Sequence, residues 1–347
     1  MAVRYGFIGC GAIAQRRHMP EAAANSKSKV VALADPAADR ATSLATQYGA
    51  KAYTDYKQML LDPDVDAVVV AGPNGLHAEQ SIAALNAGKH VLCEKPMATT
   101  REDAKAMIAA AEKNKKYLMI GLNQRLMPPH IKAKEILAEG KLGKVLSFRT
   151  AFKHPGPEGW SVDAGKSWFF KKGQAFMGVC GDLGVHKADL MRWLLSDEFT
   201  DVSGFITTLD KRDPEGKLIE LDDNAYLTLK TAGGIIGSMI LSWTNYGAEE
   251  NYTVVYCSKG VLGLGVDPVY GVIVSYANGD REMHKVGEVS TNAKQVASGI
   301  IDAMTASIET NTPPAIDGRE GYRCLDVILT AMEAGLQGRT LKIAQTV

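Results

Sequence analysis

The alternation of short apolar segments with helix-like segments in the first third of the chain constrains its fold more than any other feature. The apolar segments cover residues 4–8, 30–34, 67–71, 90–93 and 117–121. Strands that are apolar along their whole length are buried on both faces, as in a parallel sheet covered by helices. The segments between them supply the crossover connections that a parallel sheet needs. The sequence therefore predicts an α/β domain with a doubly wound parallel sheet.

Beyond the fifth apolar segment the pattern changes. Strand-like segments joined by short turns dominate residues 202–285, and the Asn278-Gly279 pair among them is a strong hairpin signal. This pattern predicts an α+β domain with an open, mostly antiparallel sheet. We expect the two domains to cover residues 1–122 and 123–347, with one helix of the second packing back on the first. The helices predicted in this second part cover residues 130–139, 182–195, 293–309 and 318–335.

Composition excludes several classes of protein. The chain has 347 residues, of which 46% are hydrophobic, enough for two domains with a sizeable core. It carries 39 basic and 39 acidic residues, so no net charge favours nucleic acid or an anionic membrane surface. No apolar run is long enough to span a bilayer, and the first strand begins too early to leave room for a signal peptide. We therefore expect a cytoplasmic protein that binds neither nucleic acid nor membrane.

The cysteines support the same expectation. There are five, an odd number, at Cys10, Cys93, Cys180, Cys257 and Cys324. They are far apart and form no CxxC pair, which argues against a disulfide framework and against a zinc site. We expect a reducing compartment and no bound metal.

A glycine motif, Gly9-x-Gly11-x-x-Ala14, lies between the first predicted strand and the first predicted helix. The first glycine permits a tight turn, the second lets the backbone approach a pyrophosphate, and Ala14 keeps the helix close to the sheet. The N–H groups at the helix N-terminus, around Ala12 and Ile13, can bind phosphate oxygens. The motif predicts a dinucleotide-binding turn; the alternative is a tight strand–helix turn without a ligand.

Asp35 ends the second predicted strand about twenty residues after this turn, where a ribose-binding acid is expected. Its carboxylate would accept hydrogen bonds from the adenosine ribose hydroxyls and repel a 2′-phosphate. This favours NAD over NADP, although Arg40, one helical turn further on, could soften the preference. Asp35 could also cap the following helix, and both roles can coexist.

Two further motifs follow the third and fourth predicted strands, at the edge of the sheet where ligands bind. The first is Pro73-Asn74-x-x-His77, which can also be read as an ordinary turn that starts a helix. The second is Glu94-Lys95-Pro96, in which the proline can fix a bend next to the lysine. A surface Lys–Glu pair is the alternative for the second motif.

Asp182 and His186 lie four residues apart in a glycine-rich stretch that begins a predicted helix. On an α-helix this spacing places both side chains on one face. Imidazole is the natural proton carrier near neutral pH, so the pair is a candidate acid–base site. The alternative is an aspartate at a helix N-terminus paired with a core histidine.

Taken in order, these motifs resemble those of the glucose–fructose oxidoreductase/inositol dehydrogenase family. The resemblance rests on GxGxxA, Ala34-Asp35, Pro73-Asn74-x-x-His77, Glu94-Lys95-Pro96, Asn123-x-Arg125, Asp182-x-x-x-His186 and the glycine turn in residues 256–262. It covers essentially the whole chain. It implies a Rossmann domain followed by an α/β domain, and an NAD-dependent oxidoreductase that acts on a secondary hydroxyl or ketone.

The resemblance also implies roles for particular residues. Lys95, Asp182 and His186 would carry catalysis: His186 as general base, Lys95 as hydrogen-bond donor to the reacting oxygen, and Asp182 holding a neighbouring hydroxyl or tuning the imidazole. The expected substrate contacts are Lys95, Arg125, Trp168, Asp182 and His186. The expected cofactor contacts are Gly9, Gly11, Ala12, Ile13, Asp35, Arg40, Pro73, Asn74, His77, Glu94, Lys95, Asn123 and Arg125.

The substrate expected from the resemblance is a sugar, inositol or related polyol. The segment at residues 153–170 carries aromatic rings and lysines that suit such a ligand, although core packing of the rings is an alternative. Its relevant side chains are Lys153, Trp160, Lys166, Trp168, Phe169 and Phe170.

Alternatives to a dehydrogenase are an NAD-dependent glycosidase that works through a transient ketone, and a non-catalytic dinucleotide-binding regulator. The free face of the second sheet is commonly the oligomer interface in the family. We therefore expect a homodimer or homotetramer joined through the strands between residues 222 and 276.

Overall fold

The computed structural model describes residues 2–160, 162, 168–289 and 297–344. Within these ranges the chain forms a six-stranded sheet and a nine-stranded sheet. No helix in these ranges is both long enough and apolar enough to cross a bilayer.

The six-stranded sheet comes from the first part of the chain. Its strands are β1 (Val3–Ile8), β2 (Ser28–Ala34), β3 (Lys51–Tyr53), β4 (Ala67–Val70), β5 (His90–Cys93) and β6 (Leu118–Ile120). The accompanying helices are α1 (Met19–Ala24), α2 (Ala38–Tyr48), α3 (Tyr56–Leu60), α4 (His77–Asn86) and α5 (Arg101–Asn114). All strand pairs are parallel and the order is β3-β2-β1-β4-β5-β6. This confirms the doubly wound sheet, and it places the ligand-binding edge at the carboxyl ends of β1 and β4, where the strand order reverses.

The nine-stranded sheet comes from the second part. Its strands are β7 (Val145–Lys153), β8 (Phe199–Thr207), β9 (Asn224–Thr231), β10 (Ile236–Ser242), β11 (Glu250–Cys257), β12 (Gly260–Leu264), β13 (Val272–Tyr276), β14 (Arg281–His284) and β15 (Leu341–Lys342). The helices are α6 (Pro128–Ala138), α7 (Lys172–Ala175), α8 (Val185–Leu195), α9 (Ile300–Thr310) and α10 (Gly318–Gln337). The order is β14-β13-β12-β11-β7-β10-β9-β8-β15. The sheet is antiparallel except for the parallel pair β7–β10, in agreement with the predicted, mostly antiparallel architecture.

Several elements differ from the sequence-based prediction. The edge strand β3 and the helix α3 were missed, because β3 has three residues, none of them buried, and gives no apolar pattern. The helix predicted at residues 293–309 begins only at Ile300, after Gly299 at a φ of +74°, and residues 290–296 lie outside the described ranges. The helix predicted at residues 182–195 begins as a π-helical turn, Cys180–Gly184, before it continues as α8.

The C-terminal helices pack against the first sheet domain. The buried carboxylate of Glu21, on α1, accepts hydrogen bonds from Ser298 N and Ser298 Oγ at 3.0 Å and from Ile301 N at 3.1 Å. It thereby satisfies N–H groups at the start of α9, which a helix cannot bond internally. Ile120 N, in β6, donates to Ile316 O just before α10. These contacts anchor the end of the chain to the domain that carries the glycine turn.

Replacement of Glu21 tests the importance of this anchor. In Glu21→Ala the buried N–H groups of Ser298 and Ile301 lose their acceptor, so we expect the free energy of unfolding to fall by about 1–3 kcal/mol. Urea denaturation followed by tryptophan fluorescence measures the change. Glu215→Ala, at an exposed turn, is the control and should leave stability unchanged. Equal stability of the two variants would contradict the assignment.

Candidate active site

A cleft of about 950 Å³ runs along the carboxyl ends of the parallel strands and is closed on one side by the second part of the chain. It collects most of the residues expected at the site. Those that line it are Gly9, Gly11, Ala12, Ile13, Asp35, Arg40, Pro73, Asn74, His77, Glu94, Lys95, Trp168, Asp182 and His186. Two expected residues, Asn123 and Arg125, do not line it.

The two glycines of the motif are favoured at their positions for different physical reasons. Gly9 has a φ of +89°, and a Cβ there would lie 2.8–2.9 Å from backbone atoms of Ala71 and Gly72, so a side chain would force β1 and the end of β4 apart. A Cβ on Gly11 would meet nothing within 4 Å and would stand in the cleft. The backbone at Gly11 is therefore open to a ligand, as a pyrophosphate cradle requires. These features fit a bound dinucleotide.

Asp35 lies at the end of β2 and is buried at the wall of the cleft. Its carboxylate accepts the N–H groups of Cys10 and Ala37, both at 2.9 Å, and Arg40 Nη1 lies 3.3 Å from each carboxylate oxygen. Asp35 thus fixes the glycine turn and the start of α2 while its side chain borders the cleft. The capping role and a ligand-binding role are compatible in this geometry.

Glu94 is held by residues that sequence analysis did not identify. His18 Nε2 lies 2.7 Å from Glu94 Oε1, and both residues are buried. Burial raises the pKa of Glu94, but the bond to His18 and the charges of Lys95 and Arg17 outweigh it and lower this pKa to about 2. Arg17 and His18 follow the glycine motif, but they lie in a π-helical turn, Ala14–His18, whose geometry α-helical spacing does not predict.

His77 and Asn74 hold loops together at the cleft. The His77 ring nitrogens lie 2.8 Å from Pro96 O and 2.9 Å from Gly72 O, so the ring bridges the loops after β4 and β5. Burial lowers the pKa of His77, while its two carbonyl contacts act in the opposite direction. Asn74 Nδ2 donates to Ala175 O at 3.1 Å and so connects the first part of the chain to α7 of the second.

Lys95 and Asp182 form an ion pair across the cleft between the two parts of the chain. Lys95 Nζ donates to Asp182 Oδ1 at 2.7 Å and to Asp182 O at 3.0 Å. The other carboxylate oxygen, Oδ2, accepts from Trp243 Nε1 at 3.0 Å and lies 3.6 Å from His154 Nε2. Although burial raises the pKa of Asp182, the charge of Lys95 and the proximity of His154 hold it below its usual range. The carboxylate is therefore ionised at neutral pH.

His186 borders the same cleft and is not hydrogen-bonded to Asp182. Its Nδ1 atom has no hydrogen-bond partner among the described residues. Burial and the positive charge of Lys95 lower the pKa of His186 to about 3, so the ring is neutral and can accept a proton. The π-helical turn at Cys180–Gly184 changes the α-helical spacing from which both side chains were expected on one face, yet both line the cleft.

Arg125 and Asn123, both expected to contact the cofactor, lie outside the lining of the cleft. Arg125 Nε donates to Asp189 Oδ2 at 2.8 Å, and its Nη2 atom contacts both Asp189 and Glu320. The guanidinium is buried against α8 and α10, where these acids neutralise it, and it does not line the cleft. Asn123 is buried in the short 3₁₀ turn that precedes α6.

The aromatic residues at positions 168–170 contribute both to the lining of the cleft and to packing against the core. Trp168 and Phe169 stack with ring centroids 4.0 Å apart, and both line the cleft. Phe169 and Phe170 pack against the buried Trp243, with centroids 6.4 Å and 6.1 Å away. The Trp160 side chain and Lys166 lie outside the described residues, and Lys153 pairs with Glu250 at 2.7 Å. Trp168 and Phe169 therefore face the cleft, as the ligand-contact interpretation requires. Phe169 and Phe170 pack against Trp243, as the core-packing interpretation requires.

The fold and the glycine cradle define a dinucleotide-binding oxidoreductase, and the family comparison agrees. The model of the oxidoreductase family with an NAD-binding Rossmann fold (GFO_IDH_MocA) matches residues 3–122, and the GFO/IDH/MocA C-terminal domain model matches residues 130–263. Together these matches cover well over half of the chain. The protein belongs to the GFO/IDH/MocA family and is an NAD-binding oxidoreductase.

Three relatives illustrate the range of this family. The chain is 29% identical to 1,5-anhydro-D-fructose reductase of Ensifer adhaerens, over 98% of both chains. It is 34% identical to levoglucosan dehydrogenase of Pseudarthrobacter phenanthrenivorans, over 65% of this chain and 60% of that one. Among solved structures, a levoglucosan dehydrogenase in complex with NADH and levoglucosan aligns with a TM-score of 0.87 at 25% identity, covering 99% of this chain and 100% of that one.

Substitution of the two glycines separates cofactor binding from folding. Gly11→Val places its side chain in the open cleft, so we expect a normal thermal unfolding profile but no detectable NADH binding in a fluorescence titration. Gly9→Ala should lower the unfolding temperature as well, since its Cβ would collide with the backbone at Ala71 and Gly72. Retention of NADH binding by folded Gly11→Val would contradict the assigned cradle.

Proposed function

We propose that this enzyme transfers a hydride between NAD and a secondary hydroxyl or ketone of an uncharged sugar, inositol or related polyol. The observation that carries the proposal is one cleft that contains the glycine cradle, the Lys95–Asp182 pair and the neutral His186. A hydroxyl placed there meets a proton acceptor and a cationic hydrogen-bond donor together.

The residues divide the reaction between them. Held at the cradle of Gly9 and Gly11, NAD would supply the acceptor for the hydride that leaves the carbinol carbon. The Lys95 ammonium donates a hydrogen bond to the reacting oxygen and stabilises the negative charge that develops as its proton leaves. His186 accepts that proton, because burial and the charge of Lys95 keep its ring neutral before reaction. Asp182 accepts hydrogen bonds from Lys95 and keeps the ammonium in place.

The charge of the cleft lining supports an uncharged substrate. The arginines that line the cleft, Arg16, Arg17 and Arg40, all come from the first part of the chain. Among the described residues, the second part contributes the side chains of Val162, Trp168, Phe169, Gln174, Asp182 and His186. These provide aromatic faces and polar groups but no cation for a phosphate. Two of the similar proteins are named for 1,5-anhydro-D-fructose and levoglucosan, which belong to the same chemical class.

A substrate panel tests the proposal. Purified enzyme is incubated with NAD and a series of free sugars, anhydrosugars and inositols, and the absorbance of NADH is followed. We expect stoichiometric formation of NADH with at least one uncharged member and none with its phosphorylated counterpart. Product formation without net NADH would favour the glycosidase alternative and contradict the proposal.

Substitution of His186 tests the assigned proton acceptor. His186→Ala should lower kcat by about 10²–10⁴, the usual contribution of general acid–base catalysis, and should leave the Kd for NADH nearly unchanged. Lys95→Ala should also lower kcat because it removes the donor to the reacting oxygen. His284→Ala, on β14 and outside the cleft lining, is the matched control. Near-normal turnover of His186→Ala would exclude the imidazole as the proton acceptor.

We also propose that the enzyme is a homodimer or homotetramer joined through the face of the second sheet that carries exposed apolar side chains. Phe205, Tyr226, Ile240, Ala151 and Tyr252 lie side by side across five strands. Phe205 is 81% exposed and Tyr226 is 47% exposed. Ala151 in this row is completely buried, so the exposed apolar area lies mainly at Phe205 and Tyr226, and monomeric proteins rarely leave large apolar patches in water.

Light scattering tests this assembly. The wild-type chain should have the mass of a dimer or tetramer at micromolar concentration, and the double variant Phe205→Lys/Tyr226→Lys should shift toward the monomer. Leu61→Lys is the control, because Leu61 is 75% exposed but lies in the first part of the chain. A monomeric wild-type protein would refute the proposed interface.

A cytoplasmic location is part of the same proposal. The support comes from the five cysteines, all of which are buried free thiols. Such thiols suit a reducing compartment.

A further inference from the structure

Two strands of the second sheet end beside the Asp182 carboxylate. β7 and β10 pair in parallel, and their register places Lys153 opposite Ser242. The residues that follow on each strand, His154 and Trp243, therefore emerge at the same edge of the sheet. His154 N donates to Ser242 O at 3.0 Å, which holds the two strand ends together.

Of these two residues, Trp243 lies closer to the Asp182 carboxylate than His154 does. Its Nε1 atom donates to Asp182 Oδ2 at 3.0 Å, and the indole is completely buried. The rings of Phe169 and Phe170 pack against it and restrict its rotation. Since an indole N–H can only donate, the contact requires an acceptor oxygen at this place.

His154 presents a second N–H group to the same oxygen. Its Nδ1 atom accepts the N–H of Gly156 at 2.9 Å, so the neutral ring carries its proton on Nε2. Nε2 lies 3.6 Å from Asp182 Oδ2, and the residue is 1% exposed. This separation is longer than a normal hydrogen bond, but in a buried site the N–H dipole still stabilises the charged form of the carboxylate.

We propose that Trp243 and His154 are positioning residues, which fix the orientation and the ionised state of Asp182 so that it holds Lys95 at the reacting oxygen. This inference rests on the proposed function. Lys95 Nζ has three N–H donors, and two of them bond to Asp182 Oδ1 and Asp182 O. The third remains for a ligand in the cleft. A carboxylate without its donors on Oδ2 is free to rotate, and its rotation would redirect the ammonium.

The titratable groups around Asp182 determine the sign of the pH effect. Lys95 faces the Asp182 carboxylate from the loop after β5, and His154 faces it from the end of β7. His186 lies about one turn after Asp182, on α8, which continues from the π-helical turn. Asp222 accepts the N–H groups of Gly178 and Cys180 at the start of the π-helical turn. α10 packs against this turn through the apolar Ile328.

Removal of a donor to Oδ2 raises the pKa of Asp182, because it destabilises only the charged form. Asp182 then takes up its proton, and loses its active ionised form, at a higher pH than in the wild-type protein. The pH at which the Asp182 carboxylate takes up its proton should therefore move upward, and a direct titration of this group measures that shift.

The main test is Trp243→Phe, which keeps an aromatic ring and removes the N–H. We expect kcat to fall about tenfold or more, as for other hydrogen bonds to charged groups, and the Kd for NADH to stay unchanged. Trp193→Phe, on α8 and outside the cleft lining, is the matched control and should alter none of these quantities.

A second pair of variants tests His154. His154→Gln keeps an N–H donor near the position of Nε2 and should retain most of the activity and the low Asp182 pKa of the wild-type enzyme. His154→Leu removes the donor and should behave like Trp243→Phe. Equal effects of His154→Gln and His154→Leu would overturn the assigned role for His154.

A readout independent of turnover separates this inference from the proposed function. The pKa of Asp182 is followed by ¹³C NMR in protein labelled at aspartate Cγ, with the signal assigned through Asp182→Asn. We expect a value below the usual range in the wild-type protein and a higher value in Trp243→Phe. An unchanged value, or a change only in thermal stability, would overturn the inference even for an active enzyme. A raised value in a protein without dehydrogenase activity would support it and refute the proposed function.

Discussion

The ion pair between Lys95 and Asp182 is the interaction on which the site depends. Lys95 follows a strand of the parallel sheet, whereas Asp182 lies in a turn that packs against the second sheet. Neither charge is easily buried alone, and each is compensated by the other at 2.7 Å. The reactive part of the cleft therefore exists only when the two parts of the chain are docked together.

Several contacts maintain this docking at a distance from the ion pair. Glu21 binds the start of α9, Asn74 binds the backbone at Ala175, and Ile120 N donates to Ile316 O. Each of them satisfies polar groups that would otherwise be buried without partners. They fix the position of the parallel sheet relative to the second part of the chain. In this position Lys95 and Asp182 lie within ion-pair distance.

Much of this arrangement could be predicted from the sequence, and the rest depends on geometry that short motifs do not contain. The apolar strands, the glycine turn, Asp35 and Lys95 could be identified because strand order places them at one edge of the sheet. Arg125 was assigned to the cleft from the resemblance of the Asn123-x-Arg125 motif, but it forms ion pairs with Asp189 and Glu320 outside the cleft lining. His154 and Trp243 are separated by almost ninety residues, and only the register of β7 and β10 brings them together. Sequence spacing also could not reveal the π-helical turn beside Asp182.

The open space at Gly11 and the aromatic wall at Trp168 come from parts of the chain that are separate in sequence. The residues that form the cofactor side all precede residue 122, while the wall opposite them begins after residue 160. Variation in the later segment can consequently reshape what enters the cleft and leave the glycine cradle and Lys95 untouched. Because of this division, related proteins can differ in the small molecule that they bind and still share the same redox chemistry.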